Sequence, residues 1–234
     1  MEGIVSLRLP TSVGSVQING SVDRVDLYRR FDGTVFVRVV DYKTGTKTFE
    51  MSEITEGLGT QMLLYLFILC DNSRRYLEDG AIRPAGVLYH PLSDLVLKRG
   101  QNDKQRLKQM CMSGIVLDDP SVVLAMEKEK GKLFIPAELN KEGNPTGNVV
   151  TPHQFDLLRK TVESLLVGMA DKLAVGEIDA LPLQKKNEDP CQYCDYKPVC
   201  ARDAEDAMRE LTKRSMKQVL EDMETAMEEV SDHE

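Results

Sequence analysis

The chain has 234 residues, 41% of them hydrophobic and 29% charged, which is enough apolar material to bury a core. Its longest uninterrupted apolar run, Met62 to Cys70, falls short of the ~20 residues that cross a bilayer, and no charged-then-apolar leader opens the sequence, so a cytoplasmic protein with no membrane contact is expected. The formal net charge of -8 sits mostly in the tail, where Ala201 to Glu234 carries 11 acidic and 5 basic residues; charge therefore neither favours nor excludes a nucleic-acid partner.

Ile4 to Leu9 alternates imperfectly between apolar and polar residues and predicts a first strand. Ser15 to Asn19 leads into the next, with Pro10-Thr11-Ser12 as the loop between them. From Gly20 to Lys43 the β-branched and aromatic residues Val22, Val25, Leu27, Val35, Phe36, Val37, Val39 and Val40 flank an Asp32-Gly33 turn signal, so a hairpin is predicted and the first strands form a meander. A three-residue loop, Phe31-Asp32-Gly33, with Gly33 in the left-handed position, places Arg30 opposite Thr34 and Asp23 opposite Asp41.

That register puts two carboxylates about 5 Å apart, a repulsion of about 3 kcal/mol at an effective dielectric of ~20. Lys43, two residues after Asp41, projects from the same face, and Tyr42 from the other. Two carboxylates and an ammonium on one face suit a hard divalent cation and an oriented water, the arrangement of phosphodiester hydrolysis. The competing reading makes Asp23 and Asp41 solvated edge charges with Lys43 as a surface ion pair, and a two-residue hairpin loop would slip the register and separate the pair.

Ser52 is expected to cap a helix reaching about Arg75, with Ile54, Leu58, Met62, Tyr65, Leu66 and Leu69 on its apolar face. Gln61 and Tyr65 lie one turn apart and share a face. Gly57 and Gly59 weaken this helix by ~1 kcal/mol each relative to Ala and suggest close approach by another backbone or a nucleic-acid strand. Arg83 to His90 predicts a strand beside the Asp41 strand, reached by a strand-helix-strand crossover that makes the sheet mixed. Pro91 ends it, and His90 reads as structural rather than as a ligand.

Gln101 to Met112 reads as a polar helix, Asp119-Pro120 as the start of a short helix through Met126, and Gly143-Asn144-Pro145-Thr146-Gly147 as a loop. Lys98, Arg99, Lys104, Arg106 and Lys108 form a basic cluster, either a phosphate-backbone track or simply a solvated face. Thr151-Pro152-His153-Gln154 is a helix start, with a threonine cap, proline at the first position and glutamine three residues on. The stripe Phe155, Leu158, Val162, Leu165, Leu166, Met169 and Leu173 is expected to cover one face of the sheet and to end near Gly176. His153, in the first turn, reads as a surface residue.

Five cysteines, three of them between 191 and 200, argue for a metal or cluster site rather than a disulfide framework. Cys191-x2-Cys194-x5-Cys200 supplies three thiolates where tetrahedral zinc and iron-sulfur clusters need four ligands. From Ala201 onward, Ala204, Met208, Leu211, Met216, Val219, Leu220, Met223 and Met227 approximate a helical stripe. The expected division is a domain over 1–200 and an acidic helical tail over 201–234.

Gly20-x-x-Asp23-Arg24-Val25-Asp26, Val40-Asp41-Tyr42-Lys43-Thr44-Gly45 and Gln61-x-x-x-Tyr65, in that order, resemble the RecB-like class of PD-(D/E)XK nucleases. The cysteine run, and Met112-Ser-Gly-Ile-Val-Leu-Asp-Asp followed by Val-Val-Leu-Ala-Met, are similar to the iron-sulfur version at the C-terminus of AddB-type helicase-nuclease subunits. The resemblance extends to about Cys200 and implies a restriction-endonuclease-like α/β (α+β) fold: a mixed sheet flanked by helices, followed by the cysteine motif and a helical tail. It implies Asp23 and Asp41 as ligands of Mg²⁺ or Mn²⁺ together with the backbone carbonyl of Tyr42, Lys43 as the group orienting the attacking water, and Gln61 and Tyr65 as supports of the site and the DNA strand. Cys191, Cys194 and Cys200 correspond to three ligands of a 4Fe-4S cluster whose fourth cysteine lies far upstream in the family; Cys70 and Cys111 are outside its pattern.

The resemblance further implies a metal-dependent DNA exonuclease domain of a helicase-nuclease in double-strand break repair and recombination, paired with an AddA-like subunit. The family's upstream helix, with a further metal ligand, and its first cysteine have no counterpart in this sequence. The expectation is a fragment, weak or inactive alone, with the cluster unassembled. A CRISPR-associated iron-sulfur exonuclease shares the motif order, but the long segment 92–148 speaks against it. A non-catalytic binding module with structural cysteines is opposed by the joint presence of Asp23, Asp41 and Lys43, and metal analysis separates a zinc-stapled interaction domain from the cluster.

Overall fold

The computed structural model describes residues 3–12, 14–45, 47–72, 82–92, 102, 107–128, 132–185, 188–203 and 205–231. The alternating segments β1 (Gly3–Thr11) and β2 (Gly14–Val22) pair antiparallel as a ribbon, from Gly3 opposite Val22 to Thr11 opposite Gly14. The loop predicted at Pro10-Thr11-Ser12 is shorter than expected, because Pro10 and Thr11 stay in the strand. A two-stranded ribbon leaves one edge of each strand unpaired, where a proline without an N–H is tolerated.

The ribbon does not continue as a meander. Val22 pairs with Gly3 but Arg24 pairs with Val40, so the chain changes partner at Asp23 and enters β3 (Arg24–Arg29), antiparallel to β4 (Val35–Lys43). The connecting turn has the predicted three residues: Arg30 N–H donates to Thr34 O at 2.9 Å, Gly33 N–H donates to Arg30 O at 3.1 Å, and Gly33 has φ +85°. Further along the chain come β5 (Ile82–Pro91), β6 (Ser113–Leu117), β7 (Ala137–Leu139), β8 (Pro145–Gly147) and β9 (Val149–Val150). The main sheet has the order β3-β4-β5-β6-β9 and is mixed: β4 with β5 and β6 with β9 are parallel, the other neighbours antiparallel. The predicted crossover is therefore present. Pro145 to Gly147, expected as loop, pair instead with β7 around the turn Asn140–Asn144.

The crossover carries two helices where one was expected: α1 (Met51–Ile54) and α2 (Gln61–Asp71). Gly57 (φ +80°) and Gly59 (φ +65°) break the helix by taking left-handed conformations. The close approach at Gly57 is made by a side chain, since a Cβ there would lie 2.3 Å from Met169 Cε. Ser52 does not cap α1, whose N-cap is Glu50. Residues Ser73 to Arg75 of the predicted helix lie outside the described residues. Met62 to Leu69 are all buried, so α2 is not amphipathic but a central helix, as its unbroken apolar run permits.

After α3 (Pro120–Met126), capped by the Asp119 side chain, comes α4 (Pro152–Ala174), which opens with the predicted capping box of Thr151 and Gln154. Phe155, Leu158 and Val162 of α4 enter the core, whereas Met169 and Leu173 are exposed, so the stripe covers the sheet only over its first half. The predicted helix over Gln101 to Met112 is described only from residue 107, with a helical turn at Leu107–Gln109; Lys98, Arg99, Lys104 and Arg106 of the basic cluster lie outside the described residues.

Beyond β10 (Leu183–Gln184) and the one-turn α5 (Lys197–Cys200), the chain returns as β11 (Arg209–Glu210), parallel to β10, and ends in α6 (Met216–Ser231). The helical stripe predicted from Ala201 begins only at α6, where Ser215 and Gln218 form a reciprocal cap. Val219, Leu220 and Met223 are buried in the common core. Ser52 anchors this return: its Oγ donates to Arg214 O at 3.1 Å and accepts from Arg214 N–H at 2.9 Å.

Glu127, buried just after α3, accepts from the N–H groups of Leu133, Phe134 and Ile135 at 3.0–3.1 Å. Three backbone donors meet one carboxylate, an arrangement that hydropathy cannot signal. Glu127→Gln is expected to destabilise the fold by about 2 kcal/mol, read as a lowered melting temperature, because one neutral acceptor replaces two charged ones.

Candidate active site

The candidate residues Asp23, Asp41 and Lys43 are placed by the β3-β4 hairpin. The ladder ends at the Arg24–Val40 pair, one residue short of Asp23 on one strand and of Asp41 on the other. Asp23 occupies the corner between the ribbon and the main sheet, so its backbone is free of ladder pairing and its Oδ2 accepts from Tyr42 N–H at 3.2 Å. Asp41 is mid-sheet, opposite Tyr89 of β5, with its side chain only 17% exposed. Lys43 Nζ lies 2.5 Å from Asp41 Oδ2, but the contact is not aligned as a hydrogen bond. That oxygen is closed to solvent and has charge compensation without a directed donor. Asp23 Oδ2 on the Tyr42 N–H and Asp41 in ion contact with Lys43 put two carboxylates beside the Tyr42 peptide, hard oxygen donors of the kind that fit a divalent cation.

Tyr89 forms the floor beside Lys43. Its ring centroid is 5.9 Å from Lys43 Nζ and 4.9 Å from Lys47 Nζ, and Phe49 packs against it at 6.4 Å. Burial, reinforced by the negative charges of Asp41 and Glu53, pushes the Tyr89 hydroxyl up to about 12, so the ring remains a neutral face for the two ammonium groups. His90, one residue on, pairs across the strands with Tyr42, and their rings tilt together at 5.6 Å on the side away from Asp41 and Lys43. Its ring packs on Tyr42, and its Nδ1 lies 3.0 Å from Pro91 O.

Gln61 and Tyr65 are brought together: Gln61 Nε2 donates to Tyr65 Oη at 2.7 Å. Tyr65 is buried and its ring lies against Gly20, where an added Cβ would be 2.2 Å from the phenol oxygen. Gly20 is thus the space into which Tyr65 fits, three residues before Asp23. The sequence separates these two motifs by about forty residues, and the packing of α2 against the β1-β2 ribbon joins them.

The cysteines are not gathered in the same way. Cys191 is half-buried and Cys194 and Cys200 are exposed along a turn and α5, and among the described residues no three His, Cys, Asp or Glu side chains are placed to share a metal ion. As they stand, the three thiols do not fit a cluster without rearrangement and a further ligand. Cys70 is a poor substitute, since burial pushes its thiol up to about 12; Cys111 is raised for the same first reason. Iodoacetamide at pH 8 is expected to alkylate Cys194 and Cys200 first and Cys70 last in the metal-free chain, as read by peptide mass spectrometry.

One network was not anticipated. Arg24 Nε donates to Asp26 Oδ1 at 2.9 Å and its Nη1 to Tyr42 Oη at 3.3 Å, while Arg38 donates to Asp26 Oδ2 from Nη2 at 2.6 Å and from Nε at 3.0 Å. Burial raises the Asp26 carboxyl, but the two guanidinium groups outweigh this and hold it below the usual range. The signal was available, because the predicted register also opposes Asp26 to Arg38.

The family model of the PD-(D/E)XK nuclease superfamily matches residues 2–201. The B-type subunit of the ATP-dependent helicase/deoxyribonuclease of Clostridium perfringens is 36% identical over 212 residues, which is 86% of this chain and 18% of that protein. The protein of the same name from Clostridium acetobutylicum is 34% identical over 209 residues, 83% of this chain and 18% of its own length. The one from Acetivibrio thermocellus is 34% identical over 198 residues, 80% and 17% respectively. The chain thus spans less than a fifth of the length of these curated relatives. With the motifs in family order on a mixed sheet, the chain belongs to the PD-(D/E)XK nuclease superfamily.

Proposed function

We propose that this chain is the nuclease domain of a helicase-nuclease acting in DNA double-strand break repair and recombination, and that it hydrolyses phosphodiester bonds of DNA as an exonuclease. The observation that carries this reading is Asp23 bound to the Tyr42 N–H between Asp41 and Lys43, with Lys43 Nζ 2.5 Å from a solvent-shielded Asp41 oxygen. Asp23, Asp41 and the Tyr42 carbonyl would hold Mg²⁺ or Mn²⁺. When bound, that ion supplies Lewis-acid polarisation of the phosphate and an acidified water. Lys43 orients the attacking water and places its ammonium where negative charge grows on the phosphate. Asp41 keeps that ammonium on the correct face of the strand. Gln61 and Tyr65 brace the corner at Gly20 and the DNA strand beside it.

The names of the relatives support the wider assignment: each is one subunit of a helicase/deoxyribonuclease, which suits a DNA substrate and a partner of the AddA-like helicase-nuclease type. Cys191, Cys194 and Cys200 are this chain's proposed share of a 4Fe-4S cluster, on the strength of their spacing, with a fourth thiolate from elsewhere in the longer protein. No helix among the described residues is long and apolar enough to cross a membrane; a cytoplasmic location fits a DNA substrate.

The test is degradation of end-labelled single-stranded DNA by this chain with Mg²⁺ and with EDTA. Release of short labelled products only with the metal supports the assignment. A chain that leaves DNA intact with Mg²⁺ or Mn²⁺ is not a nuclease by itself, and the enzyme assignment then fails for it.

A further inference from the structure

We infer that Arg24, Asp26 and Arg38 are positioning residues that act through Tyr42, fixing the backbone from which the divalent cation would be held; the inference rests on the metal-site reading above. Tyr42 is gripped at two points by consecutive residues. Asp23 accepts its N–H at 3.2 Å, and Arg24 donates to its phenol at 3.3 Å. Because Tyr42 lies between Asp41 and Lys43, a rotation of its peptide groups would turn both neighbours.

The rest of the network fixes Arg24. Asp26 receives Arg24 Nε on one carboxylate oxygen and both Arg38 donors on the other. The Arg38 side chain is only 15% exposed and belongs to β4 itself, so the chain of contacts starts and ends on the strand that bears Asp41. The His90 ring packs on Tyr42 from β5. Every group in this set lies off the Asp41 and Lys43 face, so none touches the reacting atoms. Such supporting hydrogen bonds are worth about 10- to 100-fold in metal affinity where they have been removed from metal sites.

Electrostatics alone makes the opposite forecast. Arg24→Gln removes a positive charge near a cation site and would tighten cation binding. Tyr42→Phe changes no charge and keeps the ring packed on His90. A merely structural network would lower the melting temperature and leave cation affinity alone.

The experiment is Mn²⁺ binding by the whole chain, read as loss of the free-ion signal in electron paramagnetic resonance, with melting temperatures alongside. Wild type is expected to bind, and Asp41→Asn to lose binding. Arg24→Gln and Tyr42→Phe are each expected to raise the Mn²⁺ Kd about tenfold, and their combination to be no worse than either within twofold, because both cut one contact. Single variants that bind like wild type, while Asp41→Asn does not, overturn the positioning role and leave the metal site standing. Multiplying single effects overturn the shared pathway through Tyr42. Failure of wild type to bind Mn²⁺ overturns the metal site and this inference together.

Discussion

Asp41→Ala and Lys43→Ala are each expected to lower Mg²⁺-dependent cleavage of single-stranded DNA by at least about 1,000-fold, equivalent to about 4 kcal/mol of transition-state stabilisation. They should differ in every other respect. Asp41→Ala removes a cation ligand and loses Mn²⁺ binding, whereas Lys43→Ala keeps both carboxylates and retains it. Stability moves the other way. Asp41 and Asp23 both lie beside the Tyr42 peptide, so the metal-free wild type holds two nearby carboxylates in conflict, and Lys43 offsets the charge of Asp41. Asp41→Ala relieves that conflict and is expected to leave the melting temperature unchanged or raise it. Lys43→Ala leaves the conflict uncompensated and is expected to lower it. A gain in stability with a loss of activity is the mark of a site arranged for chemistry rather than for folding. Cleavage within tenfold of wild type in either variant would remove that residue from the mechanism.

Gly20→Val is expected to destabilise the chain by about 3 kcal/mol, a fall in melting temperature of roughly 6–12 °C, although it adds apolar volume to a strand. A Cβ at this position would lie 2.2, 2.3 and 2.5 Å from the Oη, Cε1 and Cζ atoms of Tyr65. The ring cannot simply swing aside, since it is buried and its hydroxyl is held by Gln61. The paired variant Gly20→Val with Tyr65→Leu should recover stability, because shortening the side chain vacates the contested space. It should not recover cleavage, because the Gln61–Tyr65 hydrogen bond is gone. Recovery of both would make Tyr65 a packing residue only. An unchanged melting temperature in Gly20→Val would show that the corner at Asp23 yields freely, contrary to its placement between two sheets.

Much of this protein was decided by neighbours close in sequence. The three-residue turn Phe31-Asp32-Gly33 needs only a glycine that tolerates φ +85°, and once that loop length is set the pairing of β3 with β4 from Arg24 to Val40 follows by counting. The capping boxes at Thr151 and Ser215 are equally local, since donor and acceptor lie within one helical turn. What the sequence could not show depends on contacts between distant segments. Asp23 is a corner rather than a strand residue because β2 is claimed by β1, a competition between two partners that no single stretch reveals. The helix predicted from Ser52 is broken at Gly57 and Gly59, and the neighbour that comes up against Gly57 is Met169, more than a hundred residues on. Ser52 meets Arg214, and Glu127 meets three amides of a later loop, since buried polar groups take whichever partner the packed chain brings within reach. Counting along the chain thus gave the hairpin that carries Asp23, Asp41 and Lys43, while the neighbours of these residues, Tyr65 against Gly20 and Tyr89 beneath Lys43, came only from the packing of α2 against the β1-β2 ribbon and of β5 beside β4.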